Sequence, residues 1–86
     1  MESYQKNTRM DRTLTLVEVN HIGYWFSYST LVAFKDWSGT FVRENIWGFP
    51  VGIHLDTIDG GDSLARSHRL NEEKFNLFLY RASKDN

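Results

Sequence analysis

The sequence predicts an α+β domain: a three-stranded antiparallel β-meander packed on a C-terminal helix, with a short additional helix. Three observations predict it. Tyr24 to Trp47 alternates large apolar and polar residues at period two, with turn formers between two runs. The gaps between successive strand-like runs are too short for the crossover that parallel pairing needs. The segment after Asn71 changes to a helical period, with acidic residues first and basic residues last.

Residues 1–12 hold little that can anchor a core and read as a flexible tail, so the domain proper is expected over 13–83. Residues 13–20, TLTLVEVN, form the first strand. Its apolar residues shift faces between Leu16 and Val17, which implies a bulge or burial on both sides. Asn20 to Gly23 reads as a turn. Residues 24–35 then read as one long strand. Tyr24, Phe26, Tyr28, Thr30, Val32 and Phe34 point to the core, and Trp25, Ser27, Ser29, Leu31, Ala33 and Lys35 make a partly wet face. Asp36-Trp37-Ser38-Gly39 supplies the reversal, since Gly39 adopts positive φ freely and Asp36 can accept from the turn backbone. Thr40 to Trp47 returns as the third strand, with Val42 and Ile46 the better core candidates.

Gly48-Phe49-Pro50 ends the sheet. In the next segment Val51, His54, Leu55 and Ile58 fit a helical stripe, and Val51, Ile53, Leu55 and Thr57 fit a strand equally well. Pro50 at the start and Gly60-Gly61 at the end favour a short helix over 50–59. Residues 60–69 read as a polar loop. Asn71 then caps a helix in which Phe75, Phe78, Leu79 and Ala82 form one apolar stripe that covers a face of the sheet.

Composition narrows the chemistry. The chain has 86 residues, no cysteine, ten basic and eleven acidic residues, and a formal net charge of −1. Thiolate metal sites, disulfides and thiol catalysis are excluded. The basic excess that drives phosphate-backbone binding is absent. No apolar run approaches the length of a membrane helix, and residues 1–12 carry no apolar signal core. The expected location is therefore the cytoplasm, with no membrane partner.

No motif specifies a reaction. His54, Asp56, Asp59 and Asp62 place an imidazole near three carboxylates, but the spacing fits no ligand motif, and a core-edge histidine above a solvated acidic loop is preferred. His21, His54 and His68 lie on separate segments, so no zinc site is expected. Ser27, Ser29 and Ser38 lack the G-x-S-x-G surround of a nucleophile elbow and read as surface serines. Arg66, His68 and Arg69 read as a solvated basic loop. Tyr24, Trp25, Phe26 and Tyr28 could stack bases, with Lys35 and Arg43 on phosphates, but alternating strand aromatics are more often core. Trp25 and Trp37 cannot easily share the buried face with Tyr24 and Phe26, so one of them is expected either to be exposed as an interface anchor or to lie over the neighbouring strand.

Phe26-Ser27-Tyr28-Ser29-Thr30, Val32-Ala33-Phe34, the run Val42 to Gly48, Gly52-Ile53-His54-Leu55, Ile58 to Asp62 and Glu72-Glu73-Lys74-Phe75 together resemble a family of small bacteriophage-encoded domains of unknown function. In that family a SY-x-T-x-VA strand is followed by a TTG-x-H segment. The resemblance spans about residues 24–80. The chain departs from the pattern at Pro50 and Val51, where the family has two threonines. It implies a phage origin and the cytoplasm of a bacterial host, and it carries no activity over. The resulting expectation is a non-enzymatic accessory protein, with no cofactor and no metal, that binds a host or phage protein and modulates or inhibits it. Trp25, Trp37, Tyr28, Arg43 and His54 are the candidate contact residues. A sheet with open edges also suggests a homodimer. The alternative is a single-strand nucleic-acid binder using the aromatic strand 24–28.

Overall fold

The computed structural model describes residues 5–9, as backbone only, and 13–84. It is an α+β fold in which an antiparallel sheet carries a helix on each face. Five strands follow one another in space as they do in sequence: β1 (Gln5–Arg9), β2 (Leu14–Val19), β3 (Ile22–Ser27), β4 (Thr30–Asp36) and β5 (Gly39–Val42). Three helices follow: α1 (Phe49–Asp59), α2 (Ser63–Ser67) and α3 (Glu72–Lys84).

The meander is thus longer than the three strands expected, for two reasons. First, the segment read as a flexible tail supplies β1, which pairs antiparallel with β2 from Gln5↔Val19 to Arg9↔Thr15. Its sequence, QKNTR, has no apolar alternation to announce a strand. An edge strand can be held by main-chain pairing alone, and polar residues suit an edge. The other residues of that segment lie outside the described residues. Second, the run from Tyr24 to Lys35 is two strands rather than one. It folds back at Tyr28-Ser29, which have φ of 51° and 74° between the paired residues Ser27 and Thr30.

Two positive-φ residues in a two-residue loop make a type I′ turn, whose twist matches a hairpin. Asn20-His21 makes the same turn between β2 and β3, with φ of 52° and 71°. There Asn announces it; Tyr and Ser do not, because both rarely enter left-handed space. Ser29→Gly should relieve that cost and stabilise the protein by about 0.5–1 kcal/mol. Urea unfolding of the variant beside wild type checks this, and a loss of stability would contradict the turn assignment. The third reversal lies where expected. Gly39 takes φ +147°, and Asp36 Oδ1 accepts from the Ser38 N–H at 2.8 Å and the Ser38 hydroxyl at 2.6 Å.

Both faces of the sheet are buried, which corrects the assignment of one wet face. Tyr24, Phe34 and Phe41 stand in line across β3, β4 and β5 and meet Phe75, Phe78, Leu79 and Ala82 of α3. On the opposite face Trp25, Ala33 and Val42 stand in line and meet Val51, Leu55 and Ile58 of α1. A bulge between Trp25 and Phe26 inserts Val32 as the additional residue of β4. Val32 and Ala33 therefore both serve the α1 side, and Phe34 returns to the α3 side. That is why three successive residues of β4 are buried.

The third strand is shorter than expected. After Val42 only Arg43 continues, in an isolated parallel bridge to Leu70. The Leu70 N–H donates to Val42 O and the Glu44 N–H to Leu70 O, both at 2.8 Å, so the chain before α3 covers this end of the β5 edge. Ile46, expected in the core, is exposed, and Trp47 packs toward α1.

α1 confirms the short helix. Asn45 prepares its entry: Oδ1 accepts from the N–H groups of Trp47 and Gly48, and Nδ2 donates to Gly48 O. Pro50 sits in the first turn, and Gly60 closes the helix in left-handed geometry with its N–H on Asp56 O. The expected loop at 60–69 contains α2, whose N–H at Ala65 is capped by Asp62. α3 begins as predicted, with Asn71 Oδ1 accepting from the Lys74 N–H at 2.9 Å.

Candidate functional site

The five candidate contact residues do not form one surface. His54 is 4% exposed and Trp25 is half-buried against the α1 cluster, so neither stands open as an anchor. The Arg43 guanidinium lies 4.8 Å from the Trp47 ring and 5.6 Å from the Phe75 ring, with Nε buried and lacking a hydrogen bond. It is a packed, stacked cation rather than a free phosphate hook. Tyr28 is 54% exposed and Trp37 is 90% exposed. They sit at opposite ends of β4, roughly 25 Å apart along a strand at about 3.3 Å per residue. The aromatic strand 24–28 is no open stacking platform: Tyr24 and Trp25 pack on opposite faces of the sheet, and only Tyr28 projects from its end.

His54 enters a buried polar contact that the spacing did not reveal. From the inner face of α1 its Nδ1 meets Ser27 Oγ at 2.5 Å, and its Nε2 meets Thr13 Oγ1 at 2.8 Å. The Tyr28 ring packs 5.2 Å from the imidazole. Ser27, read from the sequence as a surface serine, is fully buried. Alternation along β3 sends Ser27 to the α1 side, and the stripe of Val51, His54 and Leu55 brings the imidazole to meet it. A serine beside a histidine is also the beginning of a nucleophile–base pair. Here both members are buried under the helix, and their mutual bond satisfies polar groups that burial would otherwise penalise.

The acidic and basic clusters, both read as solvated, bind one another. Arg69 donates from Nε to Asp59 at 2.8 Å and from Nη2 to Asp56 at 2.9 Å, and its side chain is only 7% exposed. Arg66 holds the other Asp56 oxygen at 2.9 Å. Gly61 permits this approach. It takes φ +71°, and a Cβ there would come 2.7 Å from Asp56 Cγ. Hydrogen bonds from Arg69, then Arg66, hold the Asp56 carboxyl below its usual range, and the Asp59 carboxylate raises the Arg69 guanidinium further. Among the described residues no group of three or more histidine, aspartate or glutamate side chains is placed to hold a metal ion.

A pH dependence follows from the Asp56 shift. A depressed carboxyl contributes stability that is fully present above the unfolded value of 3.8 and is lost as pH falls through the lower folded value. Asp56→Asn should therefore lower stability near neutral pH and flatten its decline in acid. Urea midpoints of both proteins at about pH 6 and pH 3 test this; parallel declines would show that Asp56 is not the group responsible.

What stands open is a cleft between the β4–β5 turn and α3. Its volume is about 280 Å³, and it is lined by Trp37, Phe41, Phe78 and Arg81, with Asp36 and Ser38 at one rim. Phe41 and Phe78 stack at 5.4 Å and 23° to form an apolar floor. The Arg81 side chain has no hydrogen bond or ion pair to any described residue. A second groove, about 250 Å³, runs beside Phe49 and Ile53 on the outer face of α1, and its charged residues Asp56 and Arg66 are already paired. Trp37 is a contact residue expected from the sequence; Arg81, Phe78 and Phe49 are unremarkable as contacts until the helices are placed.

No described helix is long and apolar enough to cross a membrane. Comparison of the chain with protein families, with curated proteins and with solved structures finds no match.

Proposed function

We propose that this chain is a small non-enzymatic accessory protein that acts by binding another protein through the Trp37 cleft. The observation that carries this reading is Trp37 itself, 90% exposed beside a ready-made apolar floor. A large ring held in water gains by burial, and tryptophan leads the residues that dominate interface energies. Ser27, His54 and Thr13 engage one another, Arg69 is held by Asp56 and Asp59, and Arg43 is packed between the Trp47 and Phe75 rings, which supports recognition as the use of the surface. The resemblance to bacteriophage-encoded domains makes a host or phage protein the expected partner, with modulation or inhibition of that protein the expected effect.

The test is affinity capture from bacterial lysate with tagged wild type and Trp37→Ala, with and without nuclease. Trp37→Ala should change stability by less than about 0.5 kcal/mol, since its ring contributes little to the core. One protein retained by wild type after nuclease and lost by Trp37→Ala supports the reading. Capture that vanishes with nuclease, or that Trp37→Ala leaves unchanged, refutes it.

A further inference from the structure

We infer that the Trp37 cleft takes an acidic segment of its protein partner, one that presents an aromatic side chain next to a carboxylate. This rests on the cleft being the docking site, and it specifies the chemistry of what docks. The floor is a pair of stacked rings, Phe41 and Phe78, with the Trp37 indole rising beside them. Such a surface favours a planar ring, which can stack or meet edge to face while shedding water from both partners. The volume, about 280 Å³, holds a side chain and a short length of main chain rather than a helix.

Charge selects among aromatic segments. Two opposite charges border the cleft, and they are in different states. Asp36 already accepts two hydrogen bonds through Oδ1, from the Ser38 N–H and hydroxyl. Arg81 has no partner among the described residues, and Lys84 follows it one turn along α3. Both charges persist, because neutral donors do not cancel a carboxylate; the difference is that Asp36 Oδ1 is engaged within its own turn, whereas among the described residues every guanidinium donor of Arg81 is open to a ligand. A carboxylate flanking the incoming ring would meet the guanidinium in a charge-assisted, bidentate geometry. A basic segment would set its cation against Arg81 and would find Asp36 already engaged through Oδ1 by Ser38. The groove beside Phe49 shows the contrast, because Arg66 there is already paired with Asp56 and offers no such selection. Nucleic acid also joins rings to anions, but it needs a run of phosphate contacts, and this cleft provides few cations on a chain of net charge −1.

The test uses four acetylated tetrapeptide amides: a phenylalanine between two aspartates, the same with asparagines, the same with lysines, and the acidic form with serine in place of phenylalanine. The readout is the indole N–H resonance of Trp37 in ¹⁵N-labelled protein, identified by its absence in Trp37→Phe. The expected result is a saturating shift with the acidic aromatic peptide and much weaker shifts with the other three. Arg81→Gln should weaken the acidic peptide about three- to fivefold, and added salt should do the same. Equal shifts from the acidic and asparagine peptides overturn the proposal, as does the absence of any Trp37 shift. A shift caused by a thymidine octanucleotide would assign the cleft to nucleic acid instead. One that grows with protein concentration alone would assign it to a second copy of the chain. A captured partner that depends on Trp37, with no peptide selectivity, would leave the docking function standing and this inference refuted.

Discussion

Phe34→Ala should remove about 3–5 kcal/mol of stability, the largest single effect expected in this protein. Phe34 is fully buried at the centre of the sheet, with ring centroids 4.9 Å from Phe41 and 5.4 Å from Phe75. Alanine would forfeit the transfer free energy of the ring and leave a cavity that β4 cannot close, because the same strand holds Val32 and Ala33 against α1 on the other face. Small domains typically have a total stability of about 5–15 kcal/mol, so the variant should be partly unfolded at moderate temperature. Urea unfolding followed by circular dichroism gives the value directly. A loss below about 1.5 kcal/mol, the range of a volume-conserving exchange, would mean that the two faces are not locked together through β4.

His54→Ala should cost about 2–4 kcal/mol. The imidazole fills space beneath α1, packs on Tyr28 and bonds the fully buried Ser27 hydroxyl. Removing it opens a cavity and leaves that hydroxyl without its partner, and an unmade buried hydrogen bond alone costs about 1–3 kcal/mol. The double variant with Ser27→Ala should lose less than the sum of the two single losses, because the unpaired hydroxyl goes with its serine. Capture of the docking partner should persist in folded His54→Ala, since Trp37 lies at the other end of β4. If His54→Ala kept full stability and abolished capture, the histidine would be a contact residue after all.

Much of the secondary structure was legible in the chain. The stripe of Val51, His54, Leu55 and Ile58 gave the inner face of α1, and Asn71 with Glu72 and Glu73 gave the start of α3. These signals are local: a cap, a period, a charge near a helix end. The Asp36–Gly39 reversal is of the same kind. The reversal at Tyr28-Ser29 was not legible, because nothing in those two side chains asks for positive φ. The pairing of Ser27 with Thr30 and the Tyr28–His54 contact accompany it there, which is a tertiary matter. β1 was illegible for the opposite reason, since its sequence carries no preference and the edge of β2 provides the template.

The candidate site divides along the same line. The sequence alone determined that the protein has no thiol chemistry, little net charge and a surplus of aromatic rings. It also determined the α+β class, because alternation at period two and a helical stripe are properties of consecutive residues. Only the tertiary structure decided that Trp37 is the open tryptophan and Trp25 the covered one. It alone brought Ser27 to His54, paired Asp56 and Asp59 with Arg69, and set Arg81, without a partner among the described residues, beside the rings of Phe41 and Phe78. Apart from Phe78 and Arg81, neighbours on α3, each of those relations joins residues ten or more positions apart. Their partners are chosen by strand register and by which sheet face a helix covers, and neither is written in any one segment.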